Sequence, residues 1–406
     1  MSYQTILQEL ENKALLRRLQ SIEYLDGTRL ELENKSLVNF ASNDYLGLSQ
    51  HTAVREAAIE AIHKFGLGAG ASRLVTGTLE PHSVLEEQLA SFKDAEATIC
   101  FSSGYAAAVG TITALLKKDD TIILDKLAHA CLIDAARLSG AQLRVFPHND
   151  LTRLMEILQW TQQRRPNGEI WIVTESLFSM DGDCCPLAEL IELKDQYGAN
   201  LFLDEAHATG VIGPAGKGLA AHLRLSHRIE VQMGTLSKAL GSSGGFIAGS
   251  RHLIDVLINR ARSFIYSTAP PPAVAAGANA ALAVVRSAEG ERLRSELRHN
   301  IDQLRGSLLP ATGIDPQPAE SPIVPLIVGD ENAALGIARQ LQTEGYFVPA
   351  IRFPTVSRGS ARLRLTLSAR HSSDQVAGVI KALRRQNFLG TGQRTSDLGQ
   401  SKKPSP

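Results

Sequence analysis

Short runs of consecutive apolar residues recur along the chain and alternate with helical patterns. Residues 121–124, 170–174 and 201–203 show no polar alternation, which is typical of parallel strands covered by helices on both faces. Residues 98–101 are also short and apolar enough for a strand, and they follow a helical pattern over residues 82–94. The alternation predicts an α/β fold with a large, mainly parallel sheet.

The pattern differs at both ends of the chain. Ile6, Leu7 and Leu10 recur at helical spacing, as do the leucines at 15, 16 and 19, which predicts an amphipathic arm. Past about residue 286 a charged helix over 286–304 is followed by separated strands, which predicts a smaller α+β domain. The residues after Phe388 are too polar to pack. We therefore predict an N-terminal arm (1–45), a large cofactor-binding domain (46–285), a small C-terminal domain (286–388) and a disordered tail (389–406).

Composition removes several classes of function. The 406 residues carry 42 basic and 42 acidic side chains, so neither a nucleic acid nor a membrane surface is an expected partner. The longest apolar stretch, 269–285, contains three prolines, Gly277 and Asn279, and reads as a buried helix preceded by a turn. The four cysteines lack metal-site spacing, so we predict no metal, and a reducing cytoplasm is the simplest compartment.

Two motifs carry the chemistry. The apolar run 201–203 ends in Asp204-Glu205-Ala206-His207, and Lys238 lies in a glycine-rich segment, residues 234–245, that also contains Thr235. Pyridoxal phosphate needs an amine to hold its aldehyde, an anion beside its ring nitrogen and donors around its phosphate. Lys238, Asp204 and Thr235 offer one of each, and His207 could bind the phenolic oxygen.

Each of these pieces also has an ordinary structural interpretation. An aspartate after a strand is more often a helix cap, and Thr-x-x-Lys is usually a solvated loop. The order of a strand, Asp-x-x-His, about thirty residues and then Thr-x-x-Lys is much harder to meet by chance. Together the motifs favour pyridoxal phosphate as the cofactor. Glu205 is given no role.

Further segments resemble the α-oxoamine synthases, a fold-type I branch of pyridoxal phosphate enzymes, over nearly the whole chain. They are Asn39-Phe40-Ala41-Ser42-Asn43-Asp44-Tyr45-Leu46-Gly47-Leu48, Gly70-Ala71-Ser72-Arg73, Glu175-Ser176-Leu177-Phe178-Ser179-Met180-Asp181-Gly182-Asp183 and the lysine motif. The resemblance implies an acyltransferase in which Lys238 forms the Schiff base and Asp204 pairs with the ring nitrogen.

The same resemblance implies roles for other residues. His207 and Ser179 would contact the polar edge of the cofactor, and Gly104 with Tyr105 would donate to its phosphate. His129 matches a histidine that the family stacks on the ring and would act in catalysis and substrate binding. By position alone, a histidine that only bonds within its loop is the commoner case.

Four stretches in the C-terminal half, residues 265–272, 325–330, 350–355 and 362–367, resemble the family member that joins L-alanine to a pimeloyl thioester in the biotin pathway. On that basis Arg17 and Thr355 match substrate-binding positions, with Arg17 suited to the carboxylate of a pimeloyl chain. The thiol carrier would be coenzyme A or an acyl carrier protein. The chain departs from the family pattern at Ala108 and Ser357, which leaves open the choice of substrate.

Two other functions remain open. Another α-oxoamine synthase would use glycine or serine with a different acyl thioester. A non-catalytic regulatory subunit would typically lose the lysine that Lys238 supplies here. The resemblance also implies a homodimer with sites between its subunits, in which Ser267 and Thr268 could reach the neighbour's phosphate.

Overall fold

The computed structural model describes residues 2–13, 15–165, 167–312 and 320–386, with the backbone alone for 309–312. The strands are β1 (Glu23–Tyr24), β2 (Arg29–Leu32), β3 (Lys35–Asn39), β4 (Ala97–Phe101), β5 (Thr121–Asp125), β6 (Gln142–Phe146), β7 (Ile170–Glu175), β8 (Asn200–Asp204), β9 (Val231–Thr235), β10 (Gly245–Gly249), β11 (Ile323–Gly329), β12 (Tyr346–Phe347), β13 (Ala350–Ile351) and β14 (Ala361–Thr366). The helices are α1 (Tyr3–Asn12), α2 (Thr52–Phe65), α3 (Glu80–Lys93), α4 (Gly104–Leu115), α5 (Ala130–Ser139), α6 (Leu151–Arg164), α7 (Leu187–Gln196), α8 (Leu219–His222), α9 (Arg251–Arg260), α10 (Arg262–Ile265), α11 (Pro272–Arg286), α12 (Ala288–Thr312), α13 (Glu331–Thr343) and α14 (Ser373–Arg385).

A seven-stranded sheet, in the order β4-β10-β9-β8-β7-β5-β6, forms the centre of the molecule. Neighbours from β9 to β6 pair in parallel, whereas β10 is antiparallel to both β4 and β9. The apolar runs predicted as parallel strands are β5, β7 and β8, and the α/β prediction is confirmed.

Helices cover both faces of this sheet, which explains why its strands lack polar alternation. Leu201 and Leu203 on β8 point into one apolar core, and Phe202 between them points into the other. All three side chains are completely buried. The continuous apolar pattern is therefore the signature of a strand with two buried faces.

Chemically active side chains lie along one edge of the sheet. Asp125, Glu175, Asp204 and Thr235 are the last residues of β5, β7, β8 and β9. Because β10 runs antiparallel, its first residue, Gly245, lies at the same edge. Parallel strands thus bring together groups that are far apart in the sequence.

Two smaller sheets adjoin the large one. One has the order β1-β2-β3-β12, and the other has the order β11-β14-β13. The pairing of β3 with β12 joins residues near the N-terminus to residues predicted for the C-terminal domain. The proposed domain boundaries stay a prediction, and the proposed tail lies outside the described residues.

The N-terminal helix is shorter than its leucine pattern predicted. Helix α1 ends at Asn12, so Leu15, Leu16 and Leu19 lie beyond it. No side chain of α1 is buried in this chain, and the leucine spacing alone could not distinguish a helix from the extended segment that follows. No helix in the described ranges is long and apolar enough to span a bilayer, and all four cysteines are free thiols.

Candidate active site

Lys238 lies in the loop between β9 and β10, beside a buried histidine. Its Nζ is 2.9 Å from Nε2 of His207, and Nδ1 of His207 is 2.5 Å from the hydroxyl oxygen of Tyr45. Burial lowers the pKa of Lys238, although the negative charges of Asp204 and Glu175 oppose that shift. Burial thus shifts Lys238 towards the neutral, nucleophilic form of the amine.

Asp204 is the buried carboxylate of the site. Its side chain is only 4% exposed, and one of its oxygens accepts a hydrogen bond of 2.8 Å from the amide of Ala206. Burial raises its pKa, and the positive charge of Lys238 acts against that rise. A second cation beside Asp204 would further favour the ionised carboxylate.

His129 caps the start of helix α5 and is tied to strand β7. Its amide donates to Oε1 of Glu175 at 2.6 Å, and its Nδ1 accepts from the amide of Cys131 at 3.2 Å. Burial lowers the pKa of the His129 imidazole. A neutral ring whose Nδ1 is an acceptor carries its proton on Nε2, so His129 is a candidate hydrogen-bond donor.

Glu175 is the third acidic group at this edge. Its backbone is in register with Asp204 on the neighbouring strand. Burial, together with the negative charge of Asp204, raises the pKa of Glu175 well above its usual value. Its bond to the amide of His129 connects β7 to the start of helix α5.

Gly104, Tyr105 and Thr235 lie together at the other end of this edge. Helix α4 starts at Gly104, and a Cβ placed on Gly104 would lie 3.9 Å from that of Thr235. A Cβ on Gly245 would lie 2.6 Å from Cα of Gly104. The Tyr105 hydroxyl is occupied, because it donates to Asp134 at 2.7 Å. The groups at this end that can bind an anion are therefore the backbone amides of the first turn of α4.

The structure adds a buried arginine that the sequence interpretation missed. Arg364 on β14 donates from Nε to the carbonyl of Ser179 at 2.6 Å, and from both terminal nitrogens to Oδ1 of Asn43 at 3.2 Å. Tyr45 also lies 3.3 Å from that amide oxygen. A signal for Arg364 existed in the alternation of Arg362 and Arg364 with apolar residues along β14, because a buried arginine is almost always paired.

Asn43 and Tyr45 were also missed, although both lie in the segment that carried the family resemblance. Their motif gave no indication of which side chains face the site. The contact of Tyr45 with His207 spans 162 positions of the sequence, so only the folded chain identifies it.

Arg17 and Thr355 are brought together, although the sequence separates them widely. Nη2 of Arg17 donates to the hydroxyl of Thr355 at 3.3 Å, and the contact is exposed. Within the described residues, no hydrogen bond joins this pair directly to Lys238, Asp204 or His207. The pair is thus separate from the buried group in this structure.

Glu205 has a structural role. Its carboxylate pairs with the ammonium group of Lys93, and its other oxygen accepts from the amide of Ala220 at 3.0 Å. Neither side chain of the pair is more than 1% exposed. Glu205 therefore links α3 to the chain immediately beyond β8, next to Asp204.

The residues present fit pyridoxal phosphate. A half-buried lysine of lowered pKa, a buried carboxylate and a helix N-terminus lie along one sheet edge. The backbones of Gly104 and Gly245 approach so closely that a Cβ on Gly245 would clash with the first turn of α4. These are the amine, the anion and the phosphate donors that the cofactor requires.

Comparisons with known proteins agree with this chemistry. Residues 35–383 match the family model described as aminotransferase class I and II. The chain is 45% identical over 379 residues to the 8-amino-7-oxononanoate synthase of Geobacter sulfurreducens, covering 93% of this chain and 96% of that protein.

Two solved structures are also similar. Serine palmitoyltransferase of S. paucimobilis, with bound PLP, superimposes with a TM-score of 0.87 at 28% identity, covering 95% of this chain and 97% of that one. An 8-amino-7-oxononanoate synthase from Francisella tularensis gives 0.74 at 28% identity, covering 86% and 97%. This chain therefore belongs to the class I and II aminotransferase family and, within it, to the pyridoxal phosphate-dependent acyltransferases of the 8-amino-7-oxononanoate synthase group.

Proposed function

We propose that the chain catalyses the decarboxylative condensation of L-alanine with a pimeloyl thioester to give 8-amino-7-oxononanoate. The observation that carries the proposal is that half-buried Lys238 lies beside buried His207, with buried Asp204 at the same edge of the sheet. Relatives at 45% identity bear the name of that synthase.

The proposed reaction joins two carbons and releases a thiol and carbon dioxide. A bond forms between Cα of alanine and the thioester carbonyl carbon, and the carbon–sulfur bond breaks to release the thiol. The resulting β-keto acid then loses its carboxylate as carbon dioxide, and a proton is returned to the carbon. Bound pyridoxal phosphate supplies the electron sink that makes the Cα proton removable.

Lys238 would hold the cofactor covalently and, once displaced by alanine, would take the Cα proton on Nζ. Its lowered pKa favours this, because a neutral amine is both a nucleophile and a base. Nε2 of His207, 2.9 Å away, is the neighbour that orients Nζ.

Asp204 would hold a cationic ring nitrogen, since burial strengthens the attraction between opposite charges. The cofactor's phosphate would be bound by Thr235 and by the first turn of α4, which contains Gly104 and Tyr105. Ser179 would contact the polar edge of the cofactor ring. His129, with its proton on Nε2, would donate to an oxygen of the substrate.

Arg17 and Thr355 would bind the far end of the acyl substrate. A guanidinium group recognises a carboxylate well, and the Thr355 hydroxyl already accepts from Arg17 at 3.3 Å. The assay below distinguishes the two possible thiol carriers, coenzyme A and an acyl carrier protein.

We also propose a homodimer. The single chain exposes several large apolar side chains, which are Ile59, Ile62, Leu67, Leu74 and Val75. Thr268 forms an isolated β-bridge with Ser72, close in sequence to Leu74 and Val75. A second copy covering this surface would remove it from water. A cytoplasmic location stays a prediction from the sequence.

The test is to record the absorbance of the purified protein and then to follow thiol release. L-Alanine with pimeloyl-CoA should release thiol, and each substrate alone should not. Release only with pimeloyl-carrier protein would identify the carrier. Release only with glycine or serine and another thioester would support a different α-oxoamine synthase. If the cofactor is bound but no combination of amino acid and thioester releases thiol, the proposal that the chain is a catalyst is contradicted.

A further inference from the structure

His207 is held at both ring nitrogens by buried groups. Nδ1 is 2.5 Å from the Tyr45 hydroxyl, and Nε2 is 2.9 Å from Nζ of Lys238. Tyr45 is completely buried and His207 is 5% exposed, so water has little access to this chain of groups. The position of the ring proton therefore depends on its protein neighbours.

The imidazole of His207 is neutral. Burial lowers its pKa well below the usual value, and the positive charge of Arg364, together with that of Lys238 whenever this lysine is protonated, lowers it further. A neutral ring has one N–H group, so one nitrogen donates and the other accepts. Which nitrogen carries the proton decides whether the Lys238 side of the ring offers a donor or a lone pair.

The hydroxyl of Tyr45 has two possible acceptors for its single proton. They are Nδ1 of His207 at 2.5 Å and Oδ1 of Asn43 at 3.3 Å. Two N–H groups of Arg364 already donate to that amide oxygen, which occupies both of its lone pairs. The shorter contact and the less occupied acceptor both direct the Tyr45 proton to Nδ1.

Tyr45 keeps this proton over the working pH range. Burial raises its pKa to about 12, although the positive charge of Arg364 acts in the opposite direction. The backbone also holds Tyr45 in place, because its carbonyl accepts from the amide of Ala369 at 2.8 Å. The donor is thus both protonated and fixed.

We infer that Tyr45 is a positioning residue that holds His207 as the tautomer with its proton on Nε2. In that form the Nε2–H group of His207, which lies beside Lys238, can donate to an anionic oxygen such as the phenolic oxygen of pyridoxal phosphate. The inference rests on the proposed contact between His207 and that oxygen. It concerns the protein alone and does not depend on which amino acid or thioester is used.

Nitrogen NMR of the cofactor-free protein, labelled with ¹⁵N-histidine, tests the inference directly. The wild-type protein should show His207 with Nε2 protonated and Nδ1 as a hydrogen-bonded acceptor. A His207 signal with the proton on Nδ1 would overturn the inference, and this measurement needs no variant to fold.

The substitution Tyr45→Phe gives the second readout. It should shift the Nδ1 signal, because that nitrogen loses its donor. It should also raise the pH midpoint at which the bound cofactor's absorbance titrates by about one pH unit, since a weaker donor leaves the phenolic oxygen more basic. Nitrogen shifts and a midpoint both equal to those of the wild type would overturn the inference.

Tyr197→Phe is the matched control. Its hydroxyl accepts from Gln159 at 3.0 Å and makes no contact with His207, so the substitution should leave both readouts unchanged. Absence of thiol release with a protonated Nε2 would contradict the proposed reaction and leave the tautomer standing. Thiol release with the His207 proton on Nδ1 would support the proposed reaction and contradict the inferred tautomer.

Discussion

Glu205, the residue that follows Asp204, forms a fully buried ion pair with Lys93. The ammonium group of Lys93 also donates to the carbonyl of Lys217 at 2.5 Å. A buried charge that keeps its hydrogen bonds but loses its counter-ion is strongly unfavourable. The pair therefore fixes the end of helix α3 to the segment that follows Asp204 in the candidate active site.

We expect Lys93→Met to lower the free energy of unfolding by about 3–5 kcal/mol, because Glu205 stays buried without a partner. Urea unfolding followed by circular dichroism measures this. Asp94→Asn is the control, since it removes the more exposed Lys217–Asp94 pair and should cost less than about 1 kcal/mol. Equal losses in the two variants would contradict the role of the buried pair.

Lys238→Ala should remove the near-visible absorbance of the lysine-bound cofactor. Thiol release should fall at the same time, by about 100-fold to 10,000-fold or more, because the variant lacks the base. Lys35→Ala, on the exposed start of β3, should change neither. Turnover retained without Lys238 would refute its assignment.

Gly245→Ala should weaken cofactor binding. The added Cβ would lie 2.6 Å from Cα of Gly104, and moving that turn costs about 1–3 kcal/mol, or about 10–100-fold in the Kd of pyridoxal phosphate. Absorbance titration of the cofactor-free protein measures the Kd. Gly336→Ala has open space around its Cβ, and a comparable loss in that variant would show that the effect is not local.

His148 is expected to stabilise the fold in a pH-dependent way. Its Nδ1 and Nε2 lie 3.0 and 2.8 Å from carboxylate oxygens of Asp125 and Asp183. Burial alone would lower the pKa of His148, but these hydrogen bonds raise it to about 10. Since the folded-state pKa exceeds the ordinary 6.5, the stabilisation is fully present below about pH 6.5 and is lost as the pH rises through about 10.

His148→Gln should therefore lower the free energy of unfolding by about 2 kcal/mol at neutral pH, and the difference from wild type should shrink towards pH 10. Denaturation with urea at a series of pH values measures the trend. The exposed His252 gives the control variant His252→Gln, which should follow the wild type. A difference that grows with pH would contradict the assigned charge.

Arg17→Gln should raise the KM for the pimeloyl thioester by about tenfold or more, because a charge-assisted hydrogen bond is lost. The KM for alanine should not change. Steady-state kinetics with each substrate varied in turn measures both. The adjacent Arg18→Gln is the matched control, and an equal rise in that variant would show that general positive charge, and not Arg17, binds the acyl chain.

The order of strands and helices could be predicted because buried parallel strands leave a clear sequence pattern. Residues 201–203 are apolar throughout since both faces of β8 meet an apolar core. The position of Asp204 also followed, because side chains at the carboxyl end of a parallel strand lie at the edge where open α/β sheets place ligands. Thr235 and Lys238 were identified from their glycine-rich motif, and the structure shows that Thr235 ends β9 and that Lys238 follows it.

The sequence by itself determined the fold class and the cofactor, and it led to the proposal that Lys238 is the reacting lysine, since each depends on local patterns and short motifs. Tertiary structure alone decided that Tyr45 meets His207, that Arg364 holds Asn43 and Ser179, and that Glu205 pairs with Lys93. These contacts join residues far apart in the chain. Their specificity comes from the packing of whole elements, which no local spacing encodes.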